Sequence, residues 1–265
     1  MTQPLDASRS TERSVSGEHT EEEDLTPTVH SQPNSDYFGD LFSWEPDSNN
    51  LIVGFLNVNG LKETAWKQKN DALFELLSRG YFDILGLVEP NLYWPSLNPR
   101  DSWDERLVKW KKNESFHSIL ACNTNDTAPA VHQRGGCIQL STTRATSRVV
   151  SSGKDPSGLG RWVWTQYLGR NNIKIWVITA YRVCSTNSGG PSTIFAQQKQ
   201  YFNSIHDDRH PRQALLEDLC THIVLWRDQG EQIVLLIDLN QNIYEAQIKD
   251  TFLSIGLTEA ITTHH

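Results

Sequence analysis

Leu51-Ile-Val-Gly-Phe-Leu-Asn57-Val58 is the stretch that decides the fold, because it is an almost continuous apolar run after fifty mostly polar residues. The run ends in Asn59-Gly60, a dipeptide typical of turns. A short apolar run that stops at a turn indicates a buried strand entering a loop. A folded unit is therefore predicted to begin close to this point.

Further segments downstream predict a mixture of strands and helices. Phe82-Asp-Ile-Leu-Gly-Leu-Val88 and Gln232-Ile-Val-Leu-Leu-Ile-Asp238 are apolar runs of the same kind. The middle of the chain predicts β-structure, with a hairpin turn at 168–173. The predicted middle strands are 117–122, 136–141, 162–168 and 173–181, and the predicted helices are 62–79, 193–206, 211–228 and 244–254.

Charge is distributed unevenly and separates a leader from the rest of the chain. Residues 1–50 contain two arginines and 11 acidic side chains, whereas the remainder contains 22 basic and 21 acidic ones. The leader has too little apolar content to offset the entropy lost on ordering. We predict a disordered acidic leader at 1–48, which alternatively binds a partner, and one folded domain at 49–265.

Neither a secretion signal nor a membrane span is predicted. No apolar run of the length of a signal peptide follows a basic start, and no stretch of about 18 apolar residues is present. The four cysteines have no C-x-x-C spacing, which argues against a redox motif. We expect an intracellular protein, nuclear or cytoplasmic, without an obligate oligomer.

Polar residues recur at the carboxyl ends of the predicted strands. If these strands pack side by side, their ends meet at one rim. Such a rim supplies hard oxygen ligands for a divalent ion, a carboxylate for water and donors for phosphate oxygens. The residues concerned are Asn57, Asn59, Glu89, Tyr181, Asp238 and Asn240.

Each of these residues also has a purely structural interpretation. A lone acid after a strand, such as Glu89 or Asp238, is more often a turn or helix-cap residue. Asn59 followed by glycine is first a turn signal, and Tyr181 fits a residue at the boundary of the core. Their joint order along the chain is what favours a functional site.

That order resembles the endonuclease/exonuclease/phosphatase superfamily, which includes apurinic/apyrimidinic endonucleases and deoxyribonuclease-I-like nucleases. The resemblance runs from about Leu51 to the C-terminus, and its five motifs are specific only when taken together. They are Phe55-Leu-Asn-Val-Asn-Gly-Leu61, Ile84-Leu-Gly-Leu-Val-Glu-Pro90, Arg134-Gly-Gly136, Ile178-Thr-Ala-Tyr-Arg182 and Ile237-Asp-Leu-Asn240.

The resemblance implies an α+β fold, a four-layer α/β/β/α sandwich of the deoxyribonuclease-I-like type, and a phosphodiesterase or endonuclease acting on DNA. It implies Mg²⁺ or Mn²⁺ as cofactor. By position, the metal ligands are Glu89 and Asn59, and the catalytic residues are Asp238, Asn240 and Tyr181. Asn57 is predicted to contact the substrate phosphate. Among the basic residues, Arg182 is best placed to do so, because it directly follows Tyr181.

The family pattern ends with an Asp that partners a His and then a Ser-Asp-His segment, and none of these follows Asp238. We therefore expect a fold incomplete at its C-terminus, with little or no hydrolysis. The tract 195–227 is similar to the non-LTR retrotransposon branch. Other phosphate esters remain possible substrates, and the alternatives from other classes are a non-catalytic binding module and a mobile-element remnant.

Overall fold

The computed structural model describes residues 50–61, 72, 73, 75, 82–110, 115–125, 132–185, 190 and 192–260. Contacts divide the chain into Met1–Gly39 and Asp40–His265, and every described residue belongs to the second unit. The leader predicted at 1–48 lies outside the described residues. So does the helix predicted at 62–79, except for three helical residues at 72, 73 and 75.

Eight strands form the centre of the described unit, and seven of them were predicted from the sequence. The exception is β5, whose Val-Val-Ser-Ser-Gly-Lys sequence is neither apolar nor alternating. The strands are β1 Val53–Asn57, β2 Ile84–Val88, β3 Phe116–Ala121, β4 Cys137–Thr142, β5 Val149–Lys154, β6 Trp162–Leu168, β7 Lys174–Tyr181 and β8 Gln232–Asp238.

Five α-helices accompany these strands in the described ranges, and three of them match predicted helices. The predicted hairpin at 168–173 is also confirmed, because Gly169 N donates to Ile173 O at 2.7 Å between β6 and β7. The two unpredicted helices precede β3 and follow β4. The helices are α1 Trp103–Trp110, α2 Thr143–Thr146, α3 Ile194–Ser204, α4 Pro211–Asp228 and α5 Ala246–Ser254.

The strands form two four-stranded mixed sheets with the same pattern of one parallel and two antiparallel pairs. The order is β1-β2-β4-β3 in the first sheet and β5-β6-β7-β8 in the second. Each sheet has one parallel pair, β1 with β2 and β7 with β8, and its other pairs are antiparallel. Parallel strands end on the same side, so each sheet presents two carboxyl ends together.

The two sheets face each other, with β2 lying against β7. Gly86 of β2 makes this close approach possible, because a Cβ there would lie 2.6 Å from Thr179 Oγ1. Thr179 Oγ1 in turn donates to Gln139 Oε1 at 3.2 Å. Gln139 and Ser141 both reach the hydroxyl of Tyr167, so these four polar side chains between the sheets form one hydrogen-bonded chain.

Helices cover the outer face of each sheet. Trp103 and Leu107 of α1 pack with Leu85 and Leu87 on the first sheet. Leu219, Ile223 and Trp226 of α4 pack on the second, against side chains that include Trp176 and Ile178. The layers are therefore helix, sheet, sheet and helix, written α/β/β/α. The predicted α+β fold class is confirmed. Among the described residues, no helix is long and apolar enough to cross a bilayer.

Candidate functional site

The carboxyl ends of the two parallel strand pairs meet at one rim. The amide nitrogen Nδ2 of Asn57, at the end of β1, lies 3.2 Å from Glu89 Oε1 just beyond β2. The same nitrogen lies 2.8 Å from Asp238 Oδ2 at the end of β8. One carboxamide therefore donates to two carboxylates that belong to different sheets. We call Asn57, Glu89, Tyr181 and Asp238 the rim residues.

Tyr181 joins the rim from the end of β7. Its ring is buried with Val88 and Val163, and its hydroxyl lies near the Glu89 carboxylate. Burial raises the pKa of Tyr181 well above its usual range, and the neighbouring Glu89 carboxylate raises it further. The hydroxyl consequently stays protonated and acts as a hydrogen-bond donor.

The Asp238 carboxylate accepts a hydrogen bond from the backbone of its own chain. Asn240 N donates to Asp238 Oδ1 at 3.0 Å. The Asn240 side chain does not touch this carboxylate, since its Nδ2 donates 2.7 Å to Arg182 O. Asn240 thus orients Asp238 through its backbone, while its side chain ties the end of β8 to the chain beyond β7.

Three of the predicted site residues have backbone in the left-handed region. The φ angles are 41° at Asn59, 56° at Glu89 and 47° at Asn240. Asparagine tolerates this region, but glutamate rarely adopts it, and such a residue costs on the order of 1–3 kcal/mol. The surrounding hydrogen bonds must therefore maintain the conformation of Glu89.

Neighbouring loops supply these bonds. Glu89 N donates to Gly136 O at 3.1 Å, and Gly60 N donates to Glu89 O at 2.7 Å. Asn91 Oδ1 accepts from Gly135 N at 2.7 Å, which fixes the glycine pair to the same loop. Gly135 and Gly136 both have φ near 90°, and a Cβ on Gly136 would lie 2.7 Å from Ala121 O. The Arg134-Gly-Gly136 motif therefore positions Glu89.

Asn91 is a site residue that the sequence interpretation missed. It follows Glu89-Pro90, and an Asn in a loop after a proline is ordinarily a turn residue. Its φ of 56° and its bond to Gly135 are the features that reveal its role. No signal in the sequence identifies Gly135 as its partner, because the two lie 44 positions apart.

Arg182 lies beside the rim, but its guanidinium is engaged elsewhere. The residue is only 6% exposed, and its Nε donates 3.0 Å to Arg212 O. Its Nη1 donates to Gln241 Oε1. Burial, together with the positive charge of Arg212, lowers the pKa of Arg182 to about 10. No acidic side chain forms an ion pair with Arg182 within the described ranges.

Most of the predicted site residues therefore come together as the strand ends require. Asn57, Glu89 and Asp238 form one hydrogen-bonded group, and Tyr181 lies beside Glu89. Asn59 adjoins it, since its backbone N donates 2.9 Å to Asn57 Oδ1. Asn240 and Arg182 flank the group through backbone contacts. Their catalytic and phosphate-binding roles remain predictions.

The donor set at the rim fits a hard divalent cation. Two carboxylates converge there, and oxygen ligands of this kind are those that Mg²⁺ and Mn²⁺ prefer. The Asn57 amide presents its nitrogen to them, since its Oδ1 accepts from Asn59 N. No group of three or more His, Cys, Asp or Glu side chains able to hold a metal occurs in the described part of the chain. A cation here would rest on two acids, with amide oxygens or water completing its coordination.

No protein-family profile matches the chain, and no curated protein matches its sequence. Solved structures similar to it include an endonuclease/exonuclease/phosphatase family protein from Leptotrichia buccalis, at 13% identity and a TM-score of 0.46. That alignment covers 79% of this chain and 76% of the other.

Two further structures show similarity of the same degree. One is the 3′ phosphatase NExo from Neisseria bound to a product DNA hairpin, with 16% identity, coverage of 79% and 72%, and a TM-score of 0.44. The other is a humanized D. rerio TDP2, with 14% identity, coverage of 79% and 72%, and a TM-score of 0.43.

Proposed function

We propose that the rim is the site of a divalent-metal-dependent phosphodiesterase that acts on nucleic acid. The observation that supports this most directly is the bridge from Asn57 Nδ2 to the carboxylates of Glu89 and Asp238. Two carboxylates held this close repel each other unless a donor or cation lies between them. An amide now fills that place, and a divalent cation would satisfy both acids more strongly.

Glu89 and Asn59 would hold the cation, with the Asp238 carboxylate near enough for its charge to strengthen the binding. The bound cation would supply Lewis-acid polarisation of a phosphate oxygen. Asp238 accepts the proton of the attacking water, because its Oδ1 is fixed by Asn240 N while Oδ2 faces the rim. Asn57 and the protonated Tyr181 hydroxyl donate hydrogen bonds to the phosphate oxygens.

Nucleic acid is the proposed substrate because five motifs resemble nuclease motifs in order and spacing. The segment 195–227 supports a narrower proposal, descent from a mobile-element nuclease. It includes helix α3, capped by Thr193 Oγ1, and helix α4, whose first turn begins with Pro211. The carboxylate of Asp238 and the guanidinium of Arg212 both lie next to Asn240, which joins this segment to the rim.

Cleavage of a supercoiled plasmid and of a single-stranded oligonucleotide tests the proposal. We expect cleavage by the purified chain in Mg²⁺ or Mn²⁺, none in EDTA, and loss of activity in Glu89→Gln and Asp238→Asn. Glu105→Gln, which changes an exposed acid of α1 outside the rim, serves as the matched control. Cleavage that persists in both rim variants, or no cleavage by the wild-type chain, contradicts the proposal.

A second candidate is a non-catalytic module that binds metal and phosphate at the same rim. It is favoured by one observation, that no third acid or histidine joins Glu89 and Asp238 in a metal-holding group within the described residues. Binding of Mn²⁺ that depends on Glu89, without cleavage of either substrate, would support this module over the enzyme.

A further inference from the structure

Two arginines are buried side by side next to the rim. Arg182 is 6% exposed and Arg212 is 7% exposed. Both donate to the same atom, Gln241 Oε1, with Arg212 Nη2 at 2.8 Å. We propose that Arg182 and Arg212 form a binding site for a phosphate group, placed beside the rim. As a subsite for substrate, this rests on the proposed function.

Within the described residues, every group that accepts a hydrogen bond from the two guanidiniums is electrically neutral. Arg182 Nε donates to Arg212 O at 3.0 Å, and Arg212 Nη1 donates to Val183 O at 2.6 Å. Arg212 Nη2 also donates to Asn240 O at 3.2 Å. In the described part of the chain, neither arginine forms an ion pair with a carboxylate.

A third arginine that is buried, among the residues the structure describes, shows the contrast. Arg161 is 2% exposed and donates to Asp155 at 2.7 Å and to Asp218 at 2.9 Å. Its charge is thus compensated by two carboxylates, as is usual for a buried charge. Arg182 and Arg212 hold two charges at comparable burial without such compensation.

The charges around the pair are also unfavourable for two cations. The pKa of Arg182 is lowered by burial and then by the charge of Arg212, and burial lowers the pKa of Arg212 as well. The charge of Glu245 raises the pKa of both arginines, but Glu245 is exposed and accepts from Gln241 Nε2 rather than from either arginine. A bound anion would relieve this imbalance.

The pair retains the donor needed to bind such an anion. Arg182 Nη2 has no hydrogen-bond acceptor among the described residues. It is not fully buried, so solvent reaches it. A guanidinium binds phosphate oxygens through paired N–H groups, and two guanidiniums match the charge of a phosphate. The ligand is therefore a phosphate group.

The position of the pair links it to the rim. Arg182 N donates 2.9 Å to Asp238 O, and Arg212 holds Asn240 O, two positions further on. A phosphate on the pair would thus lie near the backbone of Asp238, the residue whose carboxylate is proposed to act on water. In a nucleic acid, that phosphate is either an internal diester near the cut or a terminal phosphate.

Gln241→Glu is the most informative variant, because it places a carboxylate at the atom both guanidiniums share. Titration calorimetry with inorganic phosphate is expected to show binding by the wild-type chain and loss of about tenfold or more in affinity in Gln241→Glu. The melting temperature of the variant is measured as well, because the variant supplies a counter-charge to the arginines but loses the hydrogen bond from Gln241 Nε2 to Glu245. Loss of binding by a variant that remains folded then has no explanation in unfolding.

Arg212→Lys keeps the charge but removes the planar fork, and we expect it to weaken phosphate binding by about tenfold. Arg148→Lys is the matched control, because Arg148 is exposed and contacts Leu168 at the opposite end of the β6–β7 pair. Its affinity should be unchanged. Wild-type protein that does not bind phosphate, or Gln241→Glu that binds it as tightly as wild type, overturns the proposal.

The bound phosphate can be an internal diester or a terminal phosphate of a nucleic acid. The affinities of oligonucleotides with and without a 5′-phosphate, measured in EDTA, distinguish the two. Tighter binding of the phosphorylated strand identifies a terminal phosphate. Equal binding that Gln241→Glu weakens for both strands identifies an internal one. If the variant weakens neither, the pair is not a subsite for nucleic acid. Glu89→Gln, which should abolish cleavage, should leave phosphate binding intact, so failure of one proposal is distinguishable from failure of the other.

Discussion

Asn57 Nδ2 donates to Asp238 Oδ2 at 2.8 Å, a hydrogen bond that joins the two sheets across 181 positions of the chain. The same nitrogen reaches Glu89, so this amide separates two acids. Replacing the Asn57 amide with a carboxylate should therefore change the stability and the metal response of the rim.

Asn57→Asp should destabilise the metal-free protein by on the order of 1 kcal/mol, because the donor is lost and a third carboxylate joins two others. Mg²⁺ should restore more stability to this variant than to the wild type. Thermal melting with and without Mg²⁺ measures both effects. Asn172→Asp, an exposed substitution in the β6–β7 turn, is the control, and an equal metal response in the two variants would argue against a cation at the rim.

Gly86→Ala should lower the free energy of unfolding by about 1–3 kcal/mol, the usual cost of forcing a methylene into a packed core. The added Cβ would lie 2.6 Å from Thr179 Oγ1 and push β2 away from β7. Denaturant unfolding measures the change. Gly190→Ala is the matched control, since nothing lies within 4 Å of its Cβ position. A Gly86→Ala protein as stable as the control would show that the sheets do not approach this closely.

Tyr181 should titrate at a lower pH in Glu89→Gln than in the wild type, because the negative charge that helps to raise its pKa is removed. Burial remains, so the pKa should stay above the usual value. The pKa of Tyr181 is higher in the folded protein than in the unfolded chain, where it is about 10. Its contribution to the free energy of unfolding is therefore fully present below that pH and is lost as the pH rises above it. Tyrosinate absorbance, with Tyr181→Phe subtracted in each background, measures the shift. No difference between backgrounds would place Tyr181 away from Glu89.

Much of the fold could be predicted because its strands are apolar on both faces. Ile84, Gly86 and Val88 face the other sheet, while Leu85 and Leu87 face α1, so β2 is a continuous apolar run. The strand β5 lacks such a run and was missed. The helix α1 was also missed, although Trp103 and Leu107 have helical spacing and Asp104 and Glu105 occupy its first turn.

The rim residues could be predicted for a related reason. They follow apolar runs directly, and parallel strands place such positions on one side of a sheet. Arg212 and Gln241 could not be predicted in this way. Their partners are backbone carbonyls and a side-chain amide brought together by tertiary packing, and a sequence pattern carries no record of such contacts.

Mn²⁺ binding to the wild-type chain and its rim variants, measured by electron paramagnetic resonance, tests most directly whether the rim is one cation site. We expect Glu89→Gln and Asp238→Asn each to weaken binding by about tenfold or more, and the double variant to be much less weakened than the product of the two losses predicts, because one ion uses both acids. Arg148→Lys should bind as the wild type does. Affinity that is unchanged in both single variants would contradict the account.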